Sequence, residues 1–230
     1  MTTERFSVPV ILRDNTMLDF LEKRDWIAVL GGATRFDKRQ VIAAFEAGRQ
    51  IARHGKHVLT GGTTGVPYAA AIGAKREGAM VVGISPADSE TEHLRRFRKP
   101  VDFVDLMVYT GLNDDGRSPL IIRSSSAAIF IGGDFGTLNE FTSAWMNGDN
   151  VLGILEGFGG ISDSMRSLLE ETETNGGGTA MFQSDPTRLV ENVCAEVDRR
   201  NATRSNDTHN SIGADVHTII EEHFESCVPQ

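Results

Sequence analysis

The residues of this chain whose types and spacing could do chemistry are two glycine-rich loops, one arginine and one glutamate. Gly61-Gly62-Thr63-Thr64-Gly65 follows the apolar run His57-Val58-Leu59-Thr60 and precedes an alanine-rich stretch, Val66 to Glu77, with helical character. Gly132-Gly133-Asp134-Phe135-Gly136-Thr137 repeats that arrangement after Ala127-Ala128-Ile129-Phe130-Ile131. Glycines at a strand-to-helix junction let the backbone approach a ligand, and the first N–H groups of the helix, unpaired within it, face an anion. Each loop alone is equally well a tight turn. Two of them in one sheet point to a phosphorylated, nucleotide-like ligand.

Thr137-Leu138-Asn139-Glu140 has two readings. As S/T-x-x-E at a helix start it is a capping box, in which Thr137 accepts from an N3 amide and Glu140 reaches back to the cap. At the mouth of a ligand site it is instead a threonine and a carboxylate facing the ligand. Arg117, in Asp115-Gly116-Arg117, falls near the start of the helix that leads into the fifth strand. Cations are disfavoured at helix N-termini, so Arg117 is either an exposed helix-start arginine or a cation directed at the same mouth.

Other phosphate chemistries fail on spacing. The NTPase loop needs a lysine after its last glycine, but Gly65 is followed by Val66 and Gly136 by Thr137. Gly31-Gly32-Ala33-Thr34-Arg35 lacks the dinucleotide spacing G-x-G-x-x-G. A nucleoside monophosphate therefore fits better than ATP or NAD. The basic cluster His93-Leu94-Arg95-Arg96-Phe97-Arg98-Lys99 reads as a solvated helix face, with phosphate or partner contact as the other reading. The six histidines show no metal-binding spacing, so no metal is expected. Cys194 reads as a small buried apolar residue, and two cysteines are too few for a disulfide framework or a zinc site.

The elements that must hold these residues recur along the chain. Six short apolar runs lie at 26–30, 57–60, 80–84, 106–109, 127–131 and 151–155, several of them ending in glycine. Runs apolar at consecutive positions suit strands covered on both faces. Helical stretches separate them; Val41, Phe45, Gly48, Ile51 and Ala52 share one face. The alternation predicts an α/β fold: a doubly wound, mostly parallel Rossmann-like sheet with helices on both faces. Ligands sit beyond the carboxyl ends of such strands, where the glycines are.

Three regions are expected. Residues 1–25 form an N-terminal extension, with an extra strand at Phe6–Leu12 and a short helix. Residues 26–200 form the nucleotide-binding domain. Residues 201–230 comprise a polar linker (201–213) and a short helix (Ala214 to Ser226). Against 32 acidic residues stand 23 basic ones, a net charge of −9. That disfavours a duplex-DNA binder, which needs a basic face. No apolar run reaches the roughly 20 residues of a membrane span, and the charged N-terminus is unlike a secretory signal. A cytoplasmic protein is expected, with no nucleic-acid or membrane partner.

From Trp26 to about Val197 the chain resembles the Rossmann-like LONELY GUY superfamily, once labelled "possible lysine decarboxylase", and especially its bacterial branch near the molybdenum-cofactor carrier proteins. The resemblance rests on L-T-G-G-T-T-G-V-P-Y-A-A-A (59–71) and I-G-G-D-F-G-T-L-N-E (131–140), the latter similar to the family's P/G-G-G-x-G-T-x-x-E. Arg117, fifteen residues before Gly132, matches the family's functional arginine, Glu140 its glutamate and Thr137 its phosphate-contacting threonine. Asp134 replaces a glycine of the motif, Ser118 stands where cytokinin-activating members have lysine, and Thr60 where they have glycine.

The resemblance implies a phosphoribohydrolase that cleaves a nucleoside 5′-monophosphate into free base and ribose 5-phosphate. Glu140 and Arg117 would be catalytic; Gly61, Gly62, Thr63, Thr64, Gly65, Gly132, Gly133, Asp134, Gly136 and Thr137 would hold the phosphate. A homodimer or higher homo-oligomer is implied as well. The alternative is a non-catalytic carrier or sensor of a phosphorylated nucleotide or pterin. No cofactor is expected. Pyridoxal phosphate needs a Schiff-base lysine, and the five lysines (23, 38, 56, 75 and 99) are expected all to avoid the glycine mouths.

Overall fold

The computed structural model describes residues 25–172 and 177–204. The chain divides into two compact units, 1–197 and 198–230, and the architecture below is that of the first. Strands and helices alternate: β1 (Trp26–Gly31), α1 (Lys38–Arg53), β2 (His57–Thr60), α2 (Gly65–Arg76), β3 (Val81–Ser85) and α3 (Glu90–Arg95). Then follow β4 (Leu106–Tyr109), α4 (Asn113–Arg123), β5 (Ala127–Ile131), α5 (Phe135–Asn147) and β6 (Val151–Leu155). A 3-10 turn (Ile161–Ser164), α6 (Met165–Glu171), β7 (Thr179–Gln183) and α7 (Pro186–Arg204) complete it.

The sheet has seven parallel strands in the order β4-β3-β2-β1-β5-β6-β7. The chain winds outward from β1 to β4, then returns to the other side of β1 through α4. The strand order therefore reverses between β1 and β5, and the crevice at such a switch point is where doubly wound sheets bind ligands. Gly31 pairs with Ile131 in register, so the loops after β1 and β5 leave the sheet at one level.

Alternation along the strands builds both cores. Ile27, Val29, Val58, Ile129 and Ile131 face α1, α2 and α7; Ala28, Leu30, Leu59, Phe130 and Ile154 face α4, α5 and α6. Each fully buried isoleucine or leucine contributes on the order of 2 kcal/mol. Cys194 packs in the first core, completely buried, as its apolar reading requires.

The expected fold class is the observed one, with three differences in detail. The seventh strand, β7, has no counterpart among the six apolar runs, because it is a half-exposed edge strand whose two faces need not both be apolar. At the opposite edge β4 is not covered on both faces: Leu106 is 56% exposed. α7 runs on to Arg204, so the first residues of the expected linker are helical. The strand at Phe6–Leu12 and the helix at Ala214–Ser226 lie outside the described residues.

Candidate functional site

A cavity of about 480 Å³ opens at the carboxyl ends of the central strands. Size and position are those of a small-molecule site. Gly61, Thr63 and Thr64 from the first loop, Asp134, Gly136 and Thr137 from the second, and both Arg117 and Glu140 lie along its wall. Gly62, Gly65, Gly132 and Gly133 stand outside this lining and are glycine for packing reasons. A Cβ on Gly62 would lie 2.8 Å from the Met107 sulfur, one on Gly65 2.8 Å from the Ala33 carbonyl oxygen, and one on Gly132 2.7 Å from Gln40 Cδ.

α5 begins at Phe135, one residue after Asp134, whose carboxylate accepts from the Gly136 N–H at 3.3 Å. The cap is therefore Asp134, and the capping-box reading of Thr137 and Glu140 is overturned. Thr137 occupies the first turn and Glu140 the next, both on the buried side. The signal that could have placed this start is the aspartate itself, a preferred N-cap residue three positions before Thr137. α2 is capped differently: the Thr64 hydroxyl turns away from its own helix and donates to the Ala33 carbonyl at 2.7 Å.

Arg117 is buried rather than exposed on the helix start. Its Nη1 donates to the Ile84 carbonyl at 3.3 Å and its Nη2 to Asp114 Oδ1 at 3.2 Å, while Nε has no partner. The guanidinium lies over Gly61, where a Cβ would sit 2.6 Å from Nη2. The preceding loop is thus glycine at 61 because an arginine of α4 fills the space.

Glu140 is also buried. Desolvation pushes its carboxyl above the ordinary glutamate range, against the pull of Arg117 and of the Ser118 hydroxyl. Ser118 Oγ stands 3.2 Å from Glu140 Oε1 and 3.1 Å from the Asp114 carbonyl. One hydroxyl hydrogen cannot serve two acceptors at once. The Ser118 hydroxyl donates to the Glu140 carboxyl, with the Asp114 carbonyl as its alternative acceptor. The residue that orients Glu140 is therefore Ser118, the position where the resemblance expects lysine.

Sequence reasoning missed a third wall. Phe97, Arg98 and Lys99 line the cavity, as do Leu30 and Gly31 at the end of β1 and Ala33 and Thr34 from the loop after it. The basic cluster is accordingly not a solvated helix face throughout: α3 stops at Arg95, His93 is fully buried, and Lys99 Nζ pairs with Asp114 Oδ1 at 2.7 Å inside the cavity. The lysines do not all avoid the glycine loops, so the ground on which a Schiff-base lysine was excluded fails at Lys99. Among the described residues there is no group of three or more His, Cys, Asp or Glu side chains placed to hold a metal ion. No described helix is long and apolar enough to cross a membrane.

A parallel sheet wound both ways from β1, with a charged and glycine-bordered cavity at its switch point, defines a Rossmann-like α/β protein with a candidate small-molecule site. The chain belongs to the SLOG cluster4 family, whose model matches residues 24–190. A protein of Archaeoglobus fulgidus, of uncharacterized function, is 33% identical over 120 residues, which make up 52% of this chain and 74% of that one. The molybdenum cofactor binding protein of Rippkaea orientalis superposes with a TM-score of 0.61 at 26% identity, over 75% of this chain and 96% of its own. The molybdenum cofactor carrier protein of Chlamydomonas reinhardtii does so with a TM-score of 0.55 at 28% identity, over 76% and 96%.

Proposed function

We propose that the cavity binds a nucleoside 5′-monophosphate and hydrolyses its N-glycosidic bond, as the LONELY GUY phosphoribohydrolases do. One observation carries the reading: a buried carboxyl, Glu140, and a buried guanidinium, Arg117, share a cavity with the N-termini of α2 and α5. The phosphate binds at those N-termini, against Thr63, Thr64, Gly136 and Thr137, where fixed N–H dipoles need no reorganisation. The C1′–N bond breaks with its electron pair leaving on the base. Positive charge develops on the ribose as in glycoside hydrolysis. Ionised Glu140 stabilises that charge and takes a proton from the water whose oxygen joins C1′. The proton passes on to the departing base, which returns Glu140 to its carboxylate, and ribose 5-phosphate is released. Arg117 holds the sugar and an oxygen of its phosphate and, through its charge, favours the ionised form of Glu140.

Glu140→Gln tests this reading. Base release from AMP, GMP or CMP is expected to fall by about 10³-fold, the usual worth of an acid–base and electrostatic group, with nucleotide affinity retained. Turnover equal to wild type would remove Glu140 from the chemistry.

A second reading has its own support. The Rippkaea and Chlamydomonas proteins, similar over three quarters of this chain, are described as binding or carrying the molybdenum cofactor. As a carrier of a phosphorylated pterin, this chain would use the same helix N-termini, and Glu140 would bind ligand without turnover. Tight pterin binding with no base release from any nucleotide favours the carrier.

A further inference from the structure

The proposed reaction leaves the third wall of the cavity without a role. Arg98 sits there at φ +52°, a left-handed backbone that costs a non-glycine residue on the order of 1 kcal/mol or more. Its surroundings enforce it. His93, fully buried, lies between Ser85 Oγ, 2.8 Å from Nδ1, and the Pro100 carbonyl, 3.1 Å from Nε2. A carbonyl only accepts, so Nε2 carries the hydrogen and Nδ1 accepts from the Ser85 hydroxyl. The Lys99 N–H donates to the His93 carbonyl at 3.2 Å. His93, anchored to the end of β3 through Ser85, thereby holds the turn at Lys99 and at Pro100.

What the clamp delivers is the Lys99 ammonium. Its side chain is only 12% exposed, and Asp114 Oδ1 receives it at 2.7 Å while the same oxygen receives Arg117 at 3.2 Å. Two cations share one carboxylate. Glu140, the other carboxyl acting on Lys99, is itself pushed toward its neutral form by burial. Both cations lean on a single carboxylate oxygen in a part-buried place, and the buried Arg117 Nε has no acceptor. Charges removed from water need partners, and the missing one is an anion. Burial lowers the Lys99 pKa, with the neighbouring Arg117 adding to the shift; a bound anion would oppose both.

We infer that Lys99 is a ligand-binding residue of the cavity: together with Arg117 it takes an anionic phosphate-type oxygen of the ligand, and Asp114 keeps the two cations in place until the ligand arrives. This rests on the reading that the ligand is phosphorylated, and it holds for a nucleotide and for a pterin alike. Arg95, exposed on α3 and off the cavity wall, belongs to the same basic cluster and should contribute nothing.

The test is a set of dissociation constants for inorganic phosphate, for AMP, GMP and CMP, and for the three nucleosides. They are measured on wild type, Lys99→Met, Lys99→Arg and Arg95→Met. Lys99→Met should weaken phosphate and nucleotides by about tenfold or more, the worth of a charge-assisted contact, and leave the nucleosides unaffected. Lys99→Arg should stay within about threefold, since the charge remains, and Arg95→Met should match wild type. Should Lys99→Met fail to fold, Lys99→Gln, which keeps a donor for Asp114 without the charge, replaces it. Phosphate binding unchanged in Lys99→Met overturns the inference, as does an equal loss for nucleosides or for Arg95→Met. If wild type binds phosphate through Lys99 but none of the nucleotides, the inference stands and the nucleotide reading falls. If it binds nucleotides that Lys99→Met binds equally well, the reverse holds. Wild type that binds neither overturns both.

Discussion

At the end of β2, the space left by Gly61 is filled by the Arg117 guanidinium, which reaches the cavity through it; at the end of β5, the space left by Gly132 and Gly133 is filled by Gln40 and Thr137. In the first loop the missing side chain belongs to the site. In the second, Gln40 packs behind the loop, while Thr137 lines the cavity beside Asp134 and Gly136. Gly133 combines both constraints that favour glycine: φ is +84°, and a Cβ would stand 2.6 Å from that of Thr137. Two glycine pairs that look equivalent as letters therefore make opposite demands. Gly61 tolerates added volume if function is given up; Gly133, left-handed and against Thr137, tolerates it only at a cost in stability.

The largest expected effect follows at Gly61. Alanine there meets only the far end of a flexible side chain, so the backbone can stay while Arg117 is displaced from Ile84 and Asp114. We expect kcat/KM, or ligand affinity for a carrier, to fall about 100-fold through lost positioning. Stability should fall by only about 1 kcal/mol, the net worth of the hydrogen bonds given up. Arg117→Ala in the same background should add little, because both changes remove one interaction. Fully additive losses would show that Gly61 serves the site by some route other than Arg117, and the contrast between the loops would dissolve.

Gly133→Ala should reverse the pattern. Left-handed strain and the clash with Thr137 together should destabilise the fold by about 2–3 kcal/mol in denaturant unfolding. Any loss of binding should follow from displacement of the first turn of α5. A Gly133→Ala protein as stable as wild type, yet inactive, would move Gly133 from packing into the site.

The fold was legible in the sequence because a both-face-covered strand announces itself locally, as Ala127–Ile131 does. The loops were legible for the same reason: glycine before a helix is a local pattern. Lys99 was not. Its position depends on a bond between His93 and Pro100 and on a carboxylate fifteen residues further on, and no spacing rule encodes that meeting. The start of α5 was misread for a subtler reason. Thr137 and Glu140 have capping-box spacing, but Asp134 competes for the same role and wins by coming first. β7 escaped because its apolar run is only Ala180, Met181 and Phe182, whereas β4, at the other edge and as exposed, keeps four apolar residues in a row.

A smaller effect concerns α5, which carries the packing threonine and Glu140 on neighbouring turns. Burial holds the Glu140 carboxyl above its usual range in the folded chain, so the folded state prefers the proton more than the unfolded one does. The stability this proton contributes is complete below the ordinary glutamate range and is lost as pH rises through the elevated folded value. Wild type should therefore lose stability over that window relative to Glu140→Gln, which should be at least as stable at neutral pH. Base release, needing the carboxylate, should instead rise with pH over the same window. Thermal unfolding and pH–rate profiles of the two proteins check both signs; parallel stability curves would place Glu140 in a solvated setting.

The smallest effect separates the loops at their caps. Asp134 supports the second loop by accepting from Gly136, whereas Thr64 leaves the first turn of α2 uncapped by its side chain. Asp134→Ala should cost about 1 kcal/mol of stability, as an N-cap deletion does. It also removes a carboxylate from the cavity wall, so inorganic phosphate should bind about threefold more tightly, the scale of one exposed charge–charge contact. Thr64→Ala removes no cap and no charge: stability should change only by the bond to Ala33, and phosphate should bind more weakly, because Thr64 lines its site. If Asp134→Ala weakens phosphate instead, the cap's support of the α5 N-terminus outweighs the repulsion of its charge, and the second loop is as much a binding element as the first.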